Sequence, residues 1–538
     1  MKIQRISSLA LVLGFIFLCS STCGEGHNHF LECLSQISHN YSSISNIVYT
    51  PRDSSYISIL QFSIKNLRFM SESTSKPQVI ITPQLESQIP PIIHCAKKTN
   101  LEIRTRSGGH DFEGLSYVAQ VPFLVIDLIN LGEITVDAVE KTAWVQAGAT
   151  IGALYYKIAE KSPVLGFPAG SCLTLGVGGH FSGGGYGTLL RKHGLAADQV
   201  VDARIIDVRG RLLDRKSMGE DLFWAIRGGG GASFGVILAW KVRLVDVPEK
   251  LTVFRIQRSL EQNATQLVHR WQYVAPRLDR DLFIGVLVGP AQNERKKTTI
   301  RANFFSVFLG GMDRLLGLMQ ESFPELGLVR EDCAEMSWIQ STLYIAGFPI
   351  ESRQVLLNRS DLRLRNFKSK SDYVQKPIPE FGLEGIWRQM FEPEAAAALV
   401  LLSPYGGRMA EISESALPFP HRGGNLFEIA PVVYWNEDEG RDSDRYISWI
   451  RRLESYLTPY VSTSPRAAYL NYRDLDLGVN DNEGKTSYAR ARIWGVRYFN
   501  NNFDRLVQVK TLVDPNNFFR NEQSIPPLHY SRKSENGD

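Results

Sequence analysis

Between Lys76 and about Val247, short apolar runs alternate with amphipathic stretches, and glycine marks many of the junctions. The runs Pro77 to Ile81, Leu101 to Thr105, Leu124 to Leu128 and Trp144 to Ala147 are brief, rich in branched residues and bounded by turn formers, which predicts strands. Thr82-Pro83 reads as an N-cap and first helical residue, opening a helix toward Cys95 and Lys98 that Pro90-Pro91 is expected to kink or split. Ala203 to Asp207 and Leu212 to Leu213 flank Arg209-Gly210 as a hairpin. After Pro248 the texture changes. From Leu251 to about Asp474 glycine thins out and longer amphipathic stretches alternate with strand patterns such as Thr299 to Phe308, which predicts a second, α+β domain. Phe499, Phe503, Leu506 and Leu512 recur at helical spacing, so one docked helix is expected over Tyr498 to Val513, stopped at Asp514-Pro515. The tail beyond it is expected to return to the first domain.

The N-terminus is a different material. Lys2 and Arg5 precede an apolar run from Leu9 to Cys19 and then Ser20 to Gly24, the pattern of a secretory signal peptide. The run is too short for a membrane span, and no later stretch approaches 18 uninterrupted apolar residues, so no span is expected in the mature chain. The expected divisions are a leader over 1–23, a first domain over 24–250, a second over 251–474 and a returning segment over 475–538. With 60 Lys+Arg against 56 Asp+Glu mixed along the chain, the +4 formal charge offers no phosphate-tracking face, so no nucleic-acid partner is expected. Removing the leader takes Cys19 and Cys23 with it. Cys33, Cys95, Cys172 and Cys333 then remain for an oxidising compartment, where four cysteines permit two disulfides without requiring them. Sequons at Asn40, Asn263 and Asn358 agree with a secretory route.

Three glycine-rich segments carry the candidate chemistry. Arg106-Ser107-Gly108-Gly109-His110 follows directly on a predicted strand. Gly170 to Gly187 holds eight glycines in 18 residues, among them Gly176, Gly179, Gly183 and Gly187, together with Cys172 and His180. Arg227 to Gly235 repeats the device. Glycine at this density lets backbone N–H groups close around an anion, which is how a pyrophosphate is held without spending cations. None of the three has P-loop spacing, and Gly183 to Gly187 opens no clear Rossmann unit. Taken singly, each run also suits a plain turn, His110 a loop histidine bonded to a carbonyl, and Cys172 a small buried side chain or half of a disulfide.

These motifs continue in order with Pro418-Phe-Pro-His-Arg422, Asn471-Tyr-Arg-Asp474, Asp514-Pro-Asn-Asn-Phe518 and Gln523-Ser-Ile-Pro-Pro527. Together they resemble the plant berberine bridge enzyme-like family across nearly the whole mature chain. The resemblance implies an α+β protein: a two-part FAD-binding domain of the vanillyl-alcohol oxidase and p-cresol methylhydroxylase type, and an α+β substrate domain built on an antiparallel sheet. It implies FAD bound twice covalently, through His110 and Cys172, with Arg106, Ser107, Gly108, Gly109, Gly176, Gly179, His180, Gly183, Gly187 and Gly235 around it and no metal. It also implies a Cys33–Cys95 disulfide, which leaves Cys333 as an odd thiol expected to be buried.

The family places its base on the strand after Pro-Phe-Pro-His-Arg, where many members have Gln or Glu followed by Tyr. This chain has Ala430 and Pro431. Alanine takes no proton, but a strand period of two puts Glu428 on the same face as Ala430, and the related cannabinoid-forming enzymes carry Glu at that position. Tyr472 and Tyr186 match the family's active-site tyrosines. A tyrosinate acts as base only if its pKa of about 10 is depressed, a task for Arg473 or the flavin edge. Phe112 stands where many members have Tyr. Leu175 resembles the family's oxygen gatekeeper, where a side chain bulkier than valine tends to obstruct oxygen. The implied function is hydride transfer to FAD from a plant phenolic, allylic alcohol or prenylated aromatic, with a small phenolic or alkaloid-like substrate and oxygen or another electron acceptor as partners. The alternatives are a redox-neutral cyclase and a carbohydrate oxidase.

Overall fold

The computed structural model describes residues 27–37, 44–360, 364–436, 443–481 and 486–528. The expected leader and the Asn40 sequon lie outside them. Three β-branched runs form a small parallel sheet in the order Val79–Ile81, Phe123–Asp127, Glu102–Arg106, with Val48–Tyr49 antiparallel on its edge. Helix Ile89–Lys98 follows the first of these runs, and Cys33 is bonded to Cys95 within it. This helix differs from expectation at its start. It begins at Ile89, so Pro90 and Pro91 lie in the first turn, where N–H groups have no intrahelical partner to lose and no kink is needed.

A second, antiparallel sheet runs Ile134–Asp137, Thr142–Gln146, Val236–Arg243, Val200–Ile206, Leu212–Leu213. The hairpin at Arg209-Gly210 forms as expected, with Ile205 opposite Leu213 and Gly210 at φ +75°. One core joins these two sheets to Trp338, Leu343 and Leu356 and to the C-terminal residues Leu470, Trp494, Phe503 and Ile525. The single C-terminal helix expected from periodicity is two, Tyr488–Phe499 and Asn502–Val513, broken at Asn500 with φ +48°. The break turns Phe499 and Phe503 both inward, while Leu512, beyond the packed stretch, is 75% exposed.

The third sheet has eight antiparallel strands, among them Leu251–Ser259, Leu282–Gln292, Thr298–Phe308, Ala398–Pro404 and Phe427–Trp435. Strand alternation divides its faces. Phe427, Ile429, Val433 and Trp435 pack into a second core under helices Ala264–Val274, Glu380–Met390 and Ser443–Leu457. The even-numbered residues of the same strand point the other way, toward the first two sheets. Pro431 is tolerated because the neighbouring strands on one side, Asn366–Ser369 and Asp372–Val374, are interrupted opposite it.

Candidate active site

A cavity of about 200 Å³ lies between the first two sheets and the C-terminal segment, lined by all three glycine-rich segments. Its walls are close-packed main chain. A Cβ on Gly176 would come within 2.2 Å of the Gly108 nitrogen, and one on Gly108 within 2.3 Å of the Gly176 nitrogen, so the two loops touch only because both residues lack side chains. At Gly179 a Cβ would meet nothing within 4 Å. The three arginines that line the cavity are already paired: Arg104 with Glu522, Arg473 with Asp111 and Arg520 with Glu102. An anion there would meet backbone N–H groups and hydroxyls. The Ser116 hydroxyl is one of them, buried at the cavity wall with no hydrogen-bond partner in the protein. This donor set, a bare glycine cradle with an orphaned hydroxyl, fits a dinucleotide.

His110, on the cavity wall, and Cys172 converge on Thr174. The Thr174 hydroxyl lies 2.9 Å from His110 Nε2 and 3.7 Å from Cys172 Sγ. Leu175 lines the cavity, its Cδ1 3.3 Å from where a Gly170 Cβ would sit, beside the His180 ring. His180 accepts the Gly170 N–H at 3.1 Å through Nε2, and burial lowers its pKa to about 4, so it is a neutral ring with its proton on Nδ1. Gly183 and Gly235 line the cavity as well. Three cofactor candidates are not among its lining residues: Cys172, which lies beside Thr174, and Arg106 and Gly187. The Arg106 guanidinium is fully buried on Asp127 at 2.6 Å and on the carbonyls of Ile59 and Leu60, and Gly187 is pressed against the Ala169 carbonyl. Both shape the walls from behind.

Three segments that border the cavity turn their next residues into an aromatic cluster beside it. Phe112 follows His110 and Asp111, Tyr186 follows Gly183, and Tyr472 follows Asn471. The Phe112 ring stacks on Tyr472 at 5.2 Å, and the Tyr186 and Tyr472 hydroxyls are 2.6 Å apart. Tyr469 anchors the partition, accepting the Gly185 N–H and the Asn471 amide. From the opposite side the large sheet contributes Tyr373, Tyr405 and Glu428.

Glu428 is 1% exposed, directly across from Ser403. Neither carboxyl oxygen makes a hydrogen bond of ordinary geometry, with the Tyr186 hydroxyl near enough only to moderate the effect of burial, which raises the pKa from 4.5 to about 8. The expectation for tyrosine is reversed. Burial and the nearby Glu428 push Tyr472 and Tyr186 well above 10. Arg473 is turned to Asp111, and Lys368 and Lys370 are consumed by Asp474, Asp476 and Glu454. Among these groups, the one that exchanges a proton near neutral pH is the carboxyl.

Cys333 is half-buried, with its thiol raised to about 11 mainly by burial. The asparagines of the sequons at 263 and 358 are exposed. Sequence reasoning missed Ser116, Thr174, Tyr469 and Tyr405. Thr174 sits between two flagged residues, Cys172 and Leu175, whereas nothing local marks the others.

Residues 77–215 match the FAD binding domain family, and residues 468–526 the family described as berberine and berberine like. Berberine bridge enzyme-like 28 of Arabidopsis thaliana is 50% identical over 511 residues, 94% of this chain and 95% of that protein. Its solved structure superposes with a TM-score of 0.88, covering 94% of this chain and 100% of that one. Tetrahydroberberine oxidase of Berberis wilsoniae is 53% identical over 510 residues, 93% of this chain and 94% of that protein. A wild-type pollen protein described as a glucose dehydrogenase, Phl p 4, is 43% identical with a TM-score of 0.87, over 93% of this chain and 100% of that one. Among the described residues no helix is long and apolar enough to cross a membrane.

Proposed function

This chain belongs to the berberine bridge enzyme-like family of FAD-linked oxidoreductases, and from that premise we propose that it oxidises an aromatic, phenolic or alkaloid-like substrate with Glu428 as proton acceptor. FAD supplies the hydride acceptor. Ser107, Gly108, Gly109, Gly176 and Gly179 would cradle the cofactor, and His110 and Cys172 would attach it covalently.

The observation that carries the reading is the buried Glu428 carboxyl, without a hydrogen bond of ordinary geometry and raised to about 8 by burial, beside a tyrosine cluster that borders the glycine cavity. An unsatisfied buried carboxyl costs stability unless a partner arrives, and a hydroxyl or protonated amine of the substrate is such a partner. A base with a pKa near the working pH combines adequate driving force with a deprotonated population. Tyr472 and Tyr186, with pKa values too high for a base, would orient the substrate hydroxyl and pass its proton toward Glu428. Aromatic rings dominate this cluster, which favours a planar apolar substrate over a sugar.

Leu175 on the cavity wall favours an electron acceptor other than oxygen. The pollen relative supports this by analogy: a variant of it with valine in place of isoleucine is described as a glucose oxidase, its wild type as a glucose dehydrogenase. Secretion behind a leader over 1–23, glycans on Asn40, Asn263 and Asn358, and domain limits at 250 and 474 belong to the same reading.

Anaerobic mixing of the purified protein with aromatic amines, phenolic alcohols, prenylated aromatics and sugars tests it. Bleaching of the flavin visible band by an aromatic class supports the proposal. Bleaching by sugars alone overturns the substrate class, and product without bleaching would make the enzyme a redox-neutral cyclase.

A further inference from the structure

Thr174 is placed with unusual rigidity for a loop residue. The carbonyls on either side of it, of Leu173 and Leu175, accept the N–H groups of Gly152 and Ile151 at 2.9 and 2.8 Å, in the first turn of helix Ile151–Lys161. The Thr174 carbonyl itself packs 3.0 Å from where a Gly108 Cβ would be. Only 9% of the residue is exposed, and its hydroxyl reaches both His110 Nε2 and Cys172 Sγ.

We propose that Thr174 is the positioning residue for covalent cofactor attachment, one hydroxyl setting the ring orientation of His110 and the thiol orientation of Cys172 together. The inference rests on the bicovalent reading above. The hydrogen-bond directions follow from the chemistry each side chain must perform. An imidazole attacks carbon through an unprotonated nitrogen, so His110 carries its proton on Nε2 and donates it to Thr174 Oγ1, which directs the reactive lone pair to Nδ1. The hydroxyl then has one proton left to donate, and the acceptor within reach is Cys172 Sγ, which favours the nucleophilic thiolate.

The balance is the same at both sites. A nitrogen–carbon bond at His110 replaces an N–H bond and one C–H bond of the ring methyl. A sulfur–carbon bond at Cys172 replaces an S–H bond and a ring C–H bond. Each attachment releases two protons and two electrons, which the flavin ring would take up and an external two-electron acceptor, a quinone or more slowly dioxygen, would then remove.

The test compares wild type, Thr174→Val, which keeps the shape and loses the hydroxyl, and Thr174→Ser, which restores it. Each is expressed as the full chain with FAD. Three readouts apply: intact mass after acid denaturation, flavin fluorescence of the denatured band, and alkylation of Cys172 in peptide maps. Wild type is expected to carry flavin on both residues. Thr174→Val should bind FAD that acid releases, with the doubly attached fraction down about tenfold and Cys172 open to alkylation, as expected for one lost hydrogen bond to each nucleophile. Thr174→Ser should recover most of the attachment. Double attachment in Thr174→Val at the wild-type level overturns the inference and leaves the bicovalent reading intact. Failure of Thr174→Ser to recover attachment also overturns it, because the role would then lie in the methyl group. Wild type without covalent flavin overturns the reading and the inference together.

Discussion

The glycine cavity and the aromatic cluster lie on the same segments but are built on opposite principles. In the cavity the working atoms are main-chain N–H groups, the lining arginines are neutralised by carboxylates, and the loops fit because Gly108 and Gly176 carry no side chain. In the cluster the working atoms are side-chain oxygens, brought together from the Tyr186 loop, the Tyr472 turn and the large sheet, and the carboxyl among them makes no hydrogen bond of ordinary geometry. A backbone site recognises a shape and charge and tolerates no added atom. A side-chain site sets the chemistry and can be retuned by single exchanges. Replacing a carboxylate or amide by Ala430 while keeping Glu428 one pleat away on the same face is a change of that second kind.

The largest expected effect lies in the cluster. Glu428→Gln should lower turnover by about 10² to 10⁴, the usual worth of a positioned base. Because the base acts deprotonated, kcat/KM of the wild type should rise with pH through about 8, and that rise should vanish in the variant. Stability runs the opposite way. The folded-state pKa is raised from 4.5 to about 8, so the carboxyl's contribution to stability is lost as pH rises from about 4.5 to 8, and Glu428→Gln should gain Tm relative to wild type across that window. A flat difference in Tm across this range would show that the carboxyl is not the buried titrating group.

On the cavity side, Arg106→Leu should cost about 3–5 kcal/mol of stability by leaving Asp127 buried and unpaired. The flavin spectrum of the fraction that folds should be unchanged, and a specific loss of FAD with full stability would return Arg106 to the cofactor. Gly176→Ala should cost about 1–3 kcal/mol and empty the cavity of FAD, read as the ratio of visible to ultraviolet absorbance, since its Cβ collides with main chain that cannot move aside. Tyr472→Phe should lower turnover about tenfold, one hydrogen bond's worth, with the pH midpoint unmoved. A shifted midpoint would make tyrosine the base after all. The smallest effect is expected from Leu175→Val, which should speed re-oxidation of the reduced enzyme in air while leaving anaerobic reduction within about twofold, because one methylene alters access and not the tyrosine cluster.

Strands and glycine loops were readable because both are local properties. The run Leu124 to Asp127 is a strand as its branched, apolar residues predict, with Leu128 opening the turn that follows, and a glycine cluster needs only its own backbone freedom. Errors fell where a neighbour decides. Periodicity ran straight through Asn500, since Phe499 and Phe503 sit at helical spacing on either side of a break that only packing against the core requires. Pro90 and Pro91 looked like a kink because the start of the helix, and not the prolines, was misplaced.

By itself, then, the sequence determined the family and the cofactor class, both carried by contiguous motifs. The tertiary structure decided how the proton affinities of the candidate acids and bases differ. Tyr472 and Glu428 are 44 positions apart, and their relative proton affinities depend on desolvation and on where nearby cations are spent, here on Asp111, Asp474 and Asp476. A pKa is the free-energy difference between two charge states in a particular surrounding, and that surrounding exists only once strands distant in sequence have packed together.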